Sequence, residues 1–165
     1  MIGSMNAPQL EIWGPPLWRI FHGLAERSGK GTGKFADEER RCWINFINSI
    51  RTCLPCPVCR KHYNEYLRTG EFEKIFLETG VQRKKALREW FWKFHNVVRA
   101  RANKSIDIEL TSLEEMYKEY GLQKFNEDRH IVIEQIRSGM FQMWHVRDEM
   151  MRFIRTLEEL WRALL

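Results

Sequence analysis

The sequence lacks any long apolar run, and it is poor in cysteine and proline, with four cysteines and five prolines among 165 residues. No apolar stretch approaches the roughly 20 residues that a membrane-spanning helix needs, so we expect no membrane span. The N-terminal residues contain no apolar stretch of the kind found in signal peptides, so we expect a protein that is not secreted. Met1 to Ser4, ahead of a second methionine, read as an expression remnant.

The sequence also lacks the signals of two common binding classes. The net charge is +5, but Lys and Arg are interspersed with Asp and Glu, which is typical of a solvated helical surface, so we expect no nucleic-acid partner. The Gly- and Lys-rich stretch after Arg27 fails the phosphate-loop pattern, because Ser28 stands where the first glycine belongs and Phe35 follows Lys34. We therefore interpret this stretch as an ordinary loop.

Helical periodicity dominates the rest of the chain, and neither a strand pattern nor an internal repeat accompanies it. Pro15 and Pro16 suit the first turn of a helix, where their missing N–H groups have no partner to lose. Apolar residues then recur at helical spacing through about Arg27. Similar stripes predict further helices over about 37–50, 56–70, 83–102 and 112–120. The sequence therefore predicts an all-α fold built on a helical bundle.

Residues 125–165 are predicted to form a C-terminal helical extension. Asn126 is a candidate N-cap for its first helix, and Gly139 is expected to end that helix. A final helix is expected to present a broad apolar stripe from Met140 to Leu164, which needs burial. Three partners for this stripe are open: the chain's own bundle, a second copy of the chain, and a docked substrate protein.

Cysteine is the most informative residue type, because three of the four cysteines lie within seven positions. Cys53, Cys56 and Cys59 form two overlapping Cys-x-x-Cys pairs, a spacing that brings two sulfurs on a helical turn within disulfide range. A thiol at a helix N-terminus gains thiolate character from the helix dipole, which suits thiol–disulfide exchange. Cys42 stands apart and is expected to be a small buried hydrophobe.

A metal site is the alternative interpretation of the same cluster. Together with His62, the three cysteines offer four ligands spaced three apart, and a structural zinc ion takes four ligands. Successive steps of three continue along a helix, however, so four such side chains converge poorly on one ion. We expect no metal site. A zinc-stabilised binding module and a redox-inactive helical interaction protein are the alternatives to an oxidoreductase.

Flat rings and polar side chains recur on three of the predicted helices. Trp18 and His22 are four residues apart and share one helix face, and His62 and Tyr63 follow the cysteine pair. Another set shares one face of the helix over 83–102, namely Trp92, His95, Asn96 and Arg99. Each pair alone is as typical of a core as of a ligand site, but the combined set suits a planar cofactor held inside a bundle. Residue types alone do not say which cofactor.

Over residues 13–104 the chain resembles the Erv/ALR family of FAD-linked sulfhydryl oxidases. The first-helix pattern of that family, G-x3-W-x3-H-x2-A, is matched by Gly14, Trp18, His22 and Ala25. Its redox motif, Pro-Cys-x-x-Cys followed by x2-His and an aromatic residue, is matched from Pro55 to Tyr63. The resemblance implies that Cys56 and Cys59 are the catalytic pair and that Cys53 is an additional cysteine.

The cofactor helix of the family is matched in part. Its pattern W-x2-H-N-x-V-N, with a Lys nine residues past the His, is met by Trp92, His95, Asn96, Val98 and Lys104. Arg99 stands where the family has a second Asn, and a guanidinium at that position suits a cofactor phosphate. Trp92 and Glu109 stand where many cellular members carry a structural disulfide, so that bridge is absent.

The resemblance implies a four-helix bundle with a short fifth helix that holds FAD, and a sulfhydryl oxidase domain over 9–124 with the extension over 125–165. It implies disulfide formation in a dithiol substrate protein, with dioxygen as electron acceptor, hydrogen peroxide as product and a homodimer as the assembly. The minimal cysteine set is most similar to enzymes of large DNA viruses, which implies the host cytoplasm and the virion. The implied FAD contacts are Gly14, Trp18, His22, His62, Tyr63, Trp92, His95, Asn96, Val98, Arg99 and Lys104.

The colour of the purified protein separates these alternatives. An FAD-linked oxidase is yellow, because oxidised flavin absorbs at about 450 nm. A zinc module is colourless and contains metal, and a redox-inactive scaffold is colourless and free of metal. We expect flavin absorbance together with a metal content near zero, measured by visible spectroscopy and elemental analysis of the same sample.

Overall fold

The computed structural model describes residues 6–165, which form eight α-helices and, within that range, no β-strand. The prediction of an all-α fold is confirmed. The expression remnant suggested for residues 1–4 lies outside the described residues. No described helix is both long enough and apolar enough to cross a membrane. The helices are α1 (Leu10–Arg27), α2 (Lys34–Ile50), α3 (Pro57–Leu67), α4 (Glu71–Lys74), α5 (Gly80–Arg101), α6 (Leu113–Tyr117), α7 (Leu122–Phe141) and α8 (Arg147–Ala163), with 3-10 turns at Ile75–Leu77 and Leu110–Ser112.

Aromatic side chains from α1, α2, α3 and α5 form the core of the bundle. Phe91 of α5 lies 4.9 Å from Phe21 of α1 and 5.5 Å from Trp43 of α2, measured between ring centroids. Tyr63 of α3 contacts the α5 ring of Phe94, and its buried hydroxyl donates a 2.6 Å hydrogen bond to a backbone carbonyl of α2. Such ring pairs each contribute about 1 kcal/mol beyond the apolar area that they bury. The rings therefore fix how the four helices pack together.

The first helix begins earlier than its prolines suggest. We expected Pro15 and Pro16 in the first turn, but α1 starts at Leu10 and both prolines lie inside it, which corrects that prediction. Each proline removes one backbone donor, yet its fixed φ is compatible with a helix. The extra turns place Trp13 in the core beside Leu17. Burial of that face outweighs the two missing hydrogen bonds.

Two buried ion pairs join α5 to the first two helices. Arg83 donates to Glu39 of α2 at 2.9 Å, and both side chains are only 3% exposed. Arg88 makes two 2.7 Å bonds to the carboxylate of Glu26 on α1. Buried charges of this kind are tolerated only when they are paired and hydrogen-bonded. The pairs therefore favour this arrangement of helices over others with a similar apolar pattern.

The helices of the extension differ from the sequence prediction. Asn126 does not cap α7, because the helix starts a turn earlier, after Gly121. Gly139 does not end α7 either: it lies inside the helix, and a Cβ there would come within 2.5 Å of the His145 ring. The glycine therefore permits a close approach of the α7–α8 turn. Met143 lies in that turn and is 90% exposed, so the stripe of the last helix starts later than we expected.

The extension packs on the chain's own bundle, the first of the three partners considered for its apolar stripe. Helix α7 lies along α1, and α8 lies along α2. Phe153 of α8 is 1% exposed, and its ring centroid lies 5.8 Å from that of Phe46 on α2. Leu157 and Leu160 are fully buried in the same core cluster. The bundle and the extension thus share one hydrophobic core.

A close contact between α1 and the segment that follows α6 holds the extension in place. The ring of Tyr120 lies against Gly23, and an added Cβ on that glycine would meet ring atoms at 2.2 to 2.6 Å. The Tyr120 hydroxyl then donates a 3.0 Å hydrogen bond to Asp128 of α7, which is completely buried. A tyrosine therefore connects α1 to α7, and it fits only because position 23 has no side chain.

We expect Gly23→Ala to destabilise the protein by about 2 to 4 kcal/mol in urea unfolding, because the methyl group forces the Tyr120 ring out of place. Helix propensity alone predicts the opposite sign, a gain of about 1 kcal/mol. Gly121→Ala is the matched control, since its Cβ would have no neighbour closer than 3.7 Å, and a change within about 1 kcal/mol is expected. A Gly23→Ala protein as stable as the parent would contradict this packing.

Candidate functional site

The Cys-x-x-Cys motif forms a tight turn that leads into α3. The backbone N–H of Cys53 donates to the carbonyl of Ile50 at 3.2 Å, which closes the end of α2. Cys56 is the N-cap of α3 in an extended conformation, and Pro57 occupies the first turn, where it loses no hydrogen bond. The N–H of Cys59 donates to the sulfur of Cys56 at 3.2 Å. One N-terminal donor of the helix, the N–H of Cys59, is therefore aimed at the Cys56 sulfur.

The four cysteines are free thiols in this structure and differ in burial. Cys42 and Cys53 are 1% exposed, whereas Cys56 and Cys59 are only partly buried. Burial raises the pKa of Cys42 to about 11 and also raises that of Cys53. For Cys59, burial and then the hydrogen bond and charge of Cys56 raise the pKa to about 12. These three residues are therefore protonated thiols at neutral pH.

An apolar cavity of about 240 Å³ lies beside Cys59. Helices α1, α3 and α5 and the turn before α3 supply its walls. His62 and Tyr63 of α3 line it together with Cys59, whereas Cys56 does not reach it. The complete lining is Leu10, Trp13, Gly14, Leu17, Trp18, Phe21, Leu54, Cys59, His62, Tyr63, Phe94, Val98, Arg101 and Ala102. One cysteine of the pair thus faces an aromatic-walled cavity.

A second cavity of about 480 Å³ adjoins the first, and the two share five wall residues, Leu10, Gly14, Trp18, Val98 and Ala102. Basic side chains distinguish it: Arg19, Arg99 and Lys104 line it, against a single carboxylate from Glu11. Pro15, His95 and Tyr117 complete the lining. The two cavities together form one elongated site that is apolar at the cysteine end and basic at the other.

Stacked rings form the wall between α1 and α5. Trp18 lies flat on His95, with ring centroids 3.9 Å apart and an interplanar angle of 11°. His22 lies behind them, 2% exposed, with its Nε2 atom 3.4 Å from Nδ1 of His95. Burial lowers the pKa of His22 to about 3 and that of His95 to about 4. Both imidazoles are therefore neutral at physiological pH, and one can donate to the other.

The structure brings most of the predicted site residues to these two cavities. Gly14, Trp18 and Val98 line both of them; Cys59, His62 and Tyr63 line the first, and His95, Arg99 and Lys104 line the second. His22 supports His95 from behind, and Asn96 lines neither cavity. Trp92 is turned away, because its indole N–H donates a 2.9 Å hydrogen bond to the carbonyl of Ile108. Trp92 therefore ties down the loop after α5.

Several residues that line the two cavities were not predicted from the sequence. Leu10 and Leu17 lie four before and three after Gly14, and Phe94 and Arg101 have the same helical relation to Val98, so spacing alone pointed to them. Glu11, Phe21 and Ala102 stand at helical spacing from predicted site residues as well, whereas three other wall residues are explained by the tertiary structure. Leu54 reaches the cavity through the turn before α3, and Arg19 and Tyr117 meet at the second cavity only because α6 packs on α1.

A comparison of the sequence with protein-family models identifies the family of this chain. The model of the Erv1 / Alr family matches residues 15–119, which is more than half of the chain. The chain belongs to the Erv1 / Alr family. The match covers both cysteines of the Cys56–Cys59 pair, both ends of the elongated site and α6, and it ends before α7.

The similar curated proteins of this family come from large DNA viruses. The chain is 31% identical over 93 residues to "Putative FAD-linked sulfhydryl oxidase 088R" of Frog virus 3, covering 56% of this chain and 57% of that protein. It is 34% identical over 95 residues to "FAD-linked sulfhydryl oxidase" of an African swine fever virus isolate, covering 57% and 71%. The chain thus spans less than two thirds of the first relative's length. No solved structure matches it significantly.

Metal ligands do not gather at this site. Within residues 6–165 no group of three or more His, Cys, Asp or Glu side chains is placed to hold one metal ion. The four residues considered for zinc separate as α3 turns: Cys53 is buried in the turn that precedes the helix, whereas Cys59 and His62 face the apolar cavity.

The neutral state of His22 predicts a pH-dependent stability. Burial lowers the pKa of His22 in the folded chain to about 3, whereas in the unfolded chain it is 6.5. Between these two pH values only the unfolded chain is protonated at this residue. The contribution of neutral His22 to the free energy of unfolding is therefore fully present above pH 6.5 and is lost as the pH falls from 6.5 toward 3. From this residue we expect a loss on the order of 2 kcal/mol between pH 7.5 and pH 5 in urea unfolding.

His22→Gln should flatten this pH dependence by about that amount, because glutamine does not titrate. His130→Gln is the control, since His130 is exposed on α7, and its curve should stay parallel to that of the parent. Equal slopes for the His22→Gln variant and the parent would contradict a neutral, buried His22.

Proposed function

We propose that this chain is an FAD-dependent thiol oxidase that forms disulfide bonds in dithiol substrate proteins. One observation carries the proposal: Cys59 of the Cys-x-x-Cys pair lines an apolar, aromatic-walled cavity that continues into a basic one. Membership of the Erv1 / Alr family and the names of the viral relatives support it. Residues 9–124 carry this chemistry in our proposal, and 125–165 form the extension.

The residues of the elongated site fit FAD. A flavin ring is flat and largely apolar, and the cavity beside Cys59 offers Tyr63, Trp18 and Phe94 as ring-shaped walls. A diphosphate needs cations, which Arg99 and Lys104 supply at the other end. Between the two ends, Gly14 lines both cavities, and a Cβ there would approach Leu10 to 3.3 Å. The absence of a side chain at position 14 leaves room where the two cavities adjoin, which suits a ligand that spans both.

Bound FAD supplies a two-electron acceptor that dioxygen can reoxidise, with hydrogen peroxide as the product. The residues that would hold it are those lining the two cavities, with His22 setting the tautomer of His95 from behind. Trp18 and His95, stacked at 3.9 Å, offer a flat surface for a second ring system. Arg99 is held by Asp107 at 3.2 Å and by the carbonyl of Ser105 at 2.7 Å, so its guanidinium is oriented before a ligand binds.

Thiol–disulfide exchange assigns different tasks to the two cysteines. In the oxidised pair, a substrate thiolate attacks Cys56, the cysteine that lies outside the cavity; the Cys56–Cys59 bond breaks and Cys59 leaves as a thiolate. A second substrate thiolate then attacks the mixed disulfide, which releases Cys56 and leaves the substrate oxidised. In the reduced pair, the N–H of Cys59 is bonded to the Cys56 sulfur, and the raised pKa of Cys59 keeps the proton on that sulfur until it is removed at the cavity.

Two further parts of the proposal concern assembly and location. We propose a homodimer as the assembly, as the resemblance implies, although α7 and α8 already cover parts of α1 and α2 with apolar side chains. For a viral enzyme we propose the host cytoplasm and the virion as its sites of action, in line with the viral origin of the relatives. Light scattering of the full chain measures the first, and fractionation of infected cells measures the second.

Single cysteine substitutions test the proposed pair. Cys56→Ser and Cys59→Ser should each lower oxidation of dithiothreitol by about a thousandfold or more, because either change removes the disulfide. Both variants should still bind flavin, since serine replaces cysteine with little change in volume and Cys59 is only one of the residues that line the cavity. Cys53→Ser should retain most of the activity, because Cys53 is buried and protonated.

The opposite pattern would identify a different pair. If Cys53→Ser abolishes turnover while Cys59→Ser remains active, the disulfide joins Cys53 to Cys56 and the proposed roles are wrong. A parent protein that contains no flavin as purified, and takes none up when FAD is added, would refute the oxidase proposal as a whole.

A further inference from the structure

Arg19 is a basic residue of the second cavity that none of the matched motifs includes. It follows Trp18 on α1, and its side chain is 34% exposed on the cavity wall. Its Nε and Nη2 atoms both donate to Oδ1 of Asp128, at 3.0 and 2.8 Å. The Nη1 atom has no protein partner among residues 6–165. One edge of the guanidinium is thus anchored, and the other is available to a ligand.

The anchor, Asp128, lies on α7, outside the part of the chain that matches the family. Its side chain is completely buried, and its second oxygen accepts the Tyr120 hydroxyl at 3.0 Å. Lys124 lies 3.8 Å from the first oxygen. A buried carboxylate with these partners cannot move without breaking several bonds at once. The position of Arg19 is therefore set by the extension.

The chemistry of the cavity indicates what the available edge of Arg19 meets. Arg99 on the opposite wall is bound to Asp107, and Lys104 has no carboxylate within 4 Å in the described chain. On the cavity wall three cationic side chains, two of them already paired with an aspartate, stand against one carboxylate, Glu11. The planar fork of Arg also matches the oxygens of a phosphate or diphosphate. In the elongated site, the diphosphate of FAD falls at this end if the flavin ring lies beside Cys59.

We propose that Arg19 contacts the diphosphate of FAD and that Asp128, on the C-terminal extension, is the residue that positions Arg19 for this contact. The inference rests on the proposed function. It assigns the extension a part in cofactor binding. A chain limited to the family match, residues 15–119, would keep Cys56 and Cys59 but lose Asp128, which holds Arg19 at the second cavity.

Riboflavin and FAD are suitable probes, because riboflavin has the same ring system but no phosphate. Equilibrium dialysis of the full chain with each ligand gives an affinity ratio that depends on the phosphate end alone. We expect Arg19→Gln to weaken FAD binding by about tenfold or more while riboflavin binding stays unchanged, which lowers the ratio by the same factor. Arg19→Lys should recover only part of it, because the ammonium lacks the planar fork.

Asp128→Asn should lower the same ratio, because the neutral amide holds the guanidinium less firmly. Glu26→Gln is the matched control: it weakens the other ion pair of α1, the one with Arg88, which lies on neither cavity wall. This control should lose stability and keep the FAD-to-riboflavin ratio of the parent. A ratio that falls equally in the Glu26 variant would overturn the positioning role, since it would reflect general loosening of α1.

A double-mutant cycle separates positioning from a direct effect. If Asp128 acts through Arg19, Asp128→Asn causes no further fall of the ratio once Arg19 is Gln. If the two substitutions lower the ratio independently in the double variant, the positioning role of Asp128 is overturned. If the ratio is unchanged in Arg19→Gln alone, the contact between Arg19 and the diphosphate is overturned; this variant is expected to fold, because Arg19 is partly exposed. A parent that binds neither ligand would instead refute the proposed function, so the two failures are distinguishable.

Discussion

The packing of α1 against α5 is the contact on which the rest of the site depends. Phe21 and Phe91 stack in its buried part, and one turn nearer the site Trp18 lies flat on His95. Because both cavities are walled by these same two helices, any change in their separation widens or closes the elongated site along its whole length. The ion pair between Glu26 and Arg88 adds stability to this packing without reaching either cavity. The interface between α1 and α5 therefore contributes to the stability of the bundle and also sets the shape of the elongated site.

Much of the fold and of the cysteine end of the site could be predicted from the sequence. Helical periodicity and the Cys-x-x-Cys pair depend on neighbours within one turn, so the all-α class and the placing of Cys56 at the start of a helix needed no tertiary knowledge. The errors concern residues whose roles are tertiary. Pro15 and Gly139 are helix breakers by local propensity, but burial of Trp13 and the close approach of His145 decide their conformation.

The same distinction explains the missed part of the basic cavity. Arg19 and Asp128 are separated by 109 positions, and nothing near either residue indicates the other. Their bond exists because α7 packs along α1, and that packing depends on a glycine at position 23 that leaves room for Tyr120. Trp92 is a second example: its helical spacing suggested a cofactor contact, whereas its indole binds the carbonyl of Ile108 and secures the loop that carries Lys104 and Arg99's partner Asp107.

The burial of Cys53 has a consequence for how the chain matures. In an unfolded chain, Cys56 has two neighbours at the same spacing, so closing a disulfide to either one has nearly the same loop entropy. Folding removes this symmetry, because the turn that follows α2 buries Cys53 in the core, whereas Cys59 lies on α3 beside the cavity. A Cys53–Cys56 bond would have to place a cross-link where Cys53 is only 1% exposed in the packed core. The burial of Cys53 therefore leaves Cys59 as the more accessible partner for Cys56 in the folded chain, in line with the pair that we propose.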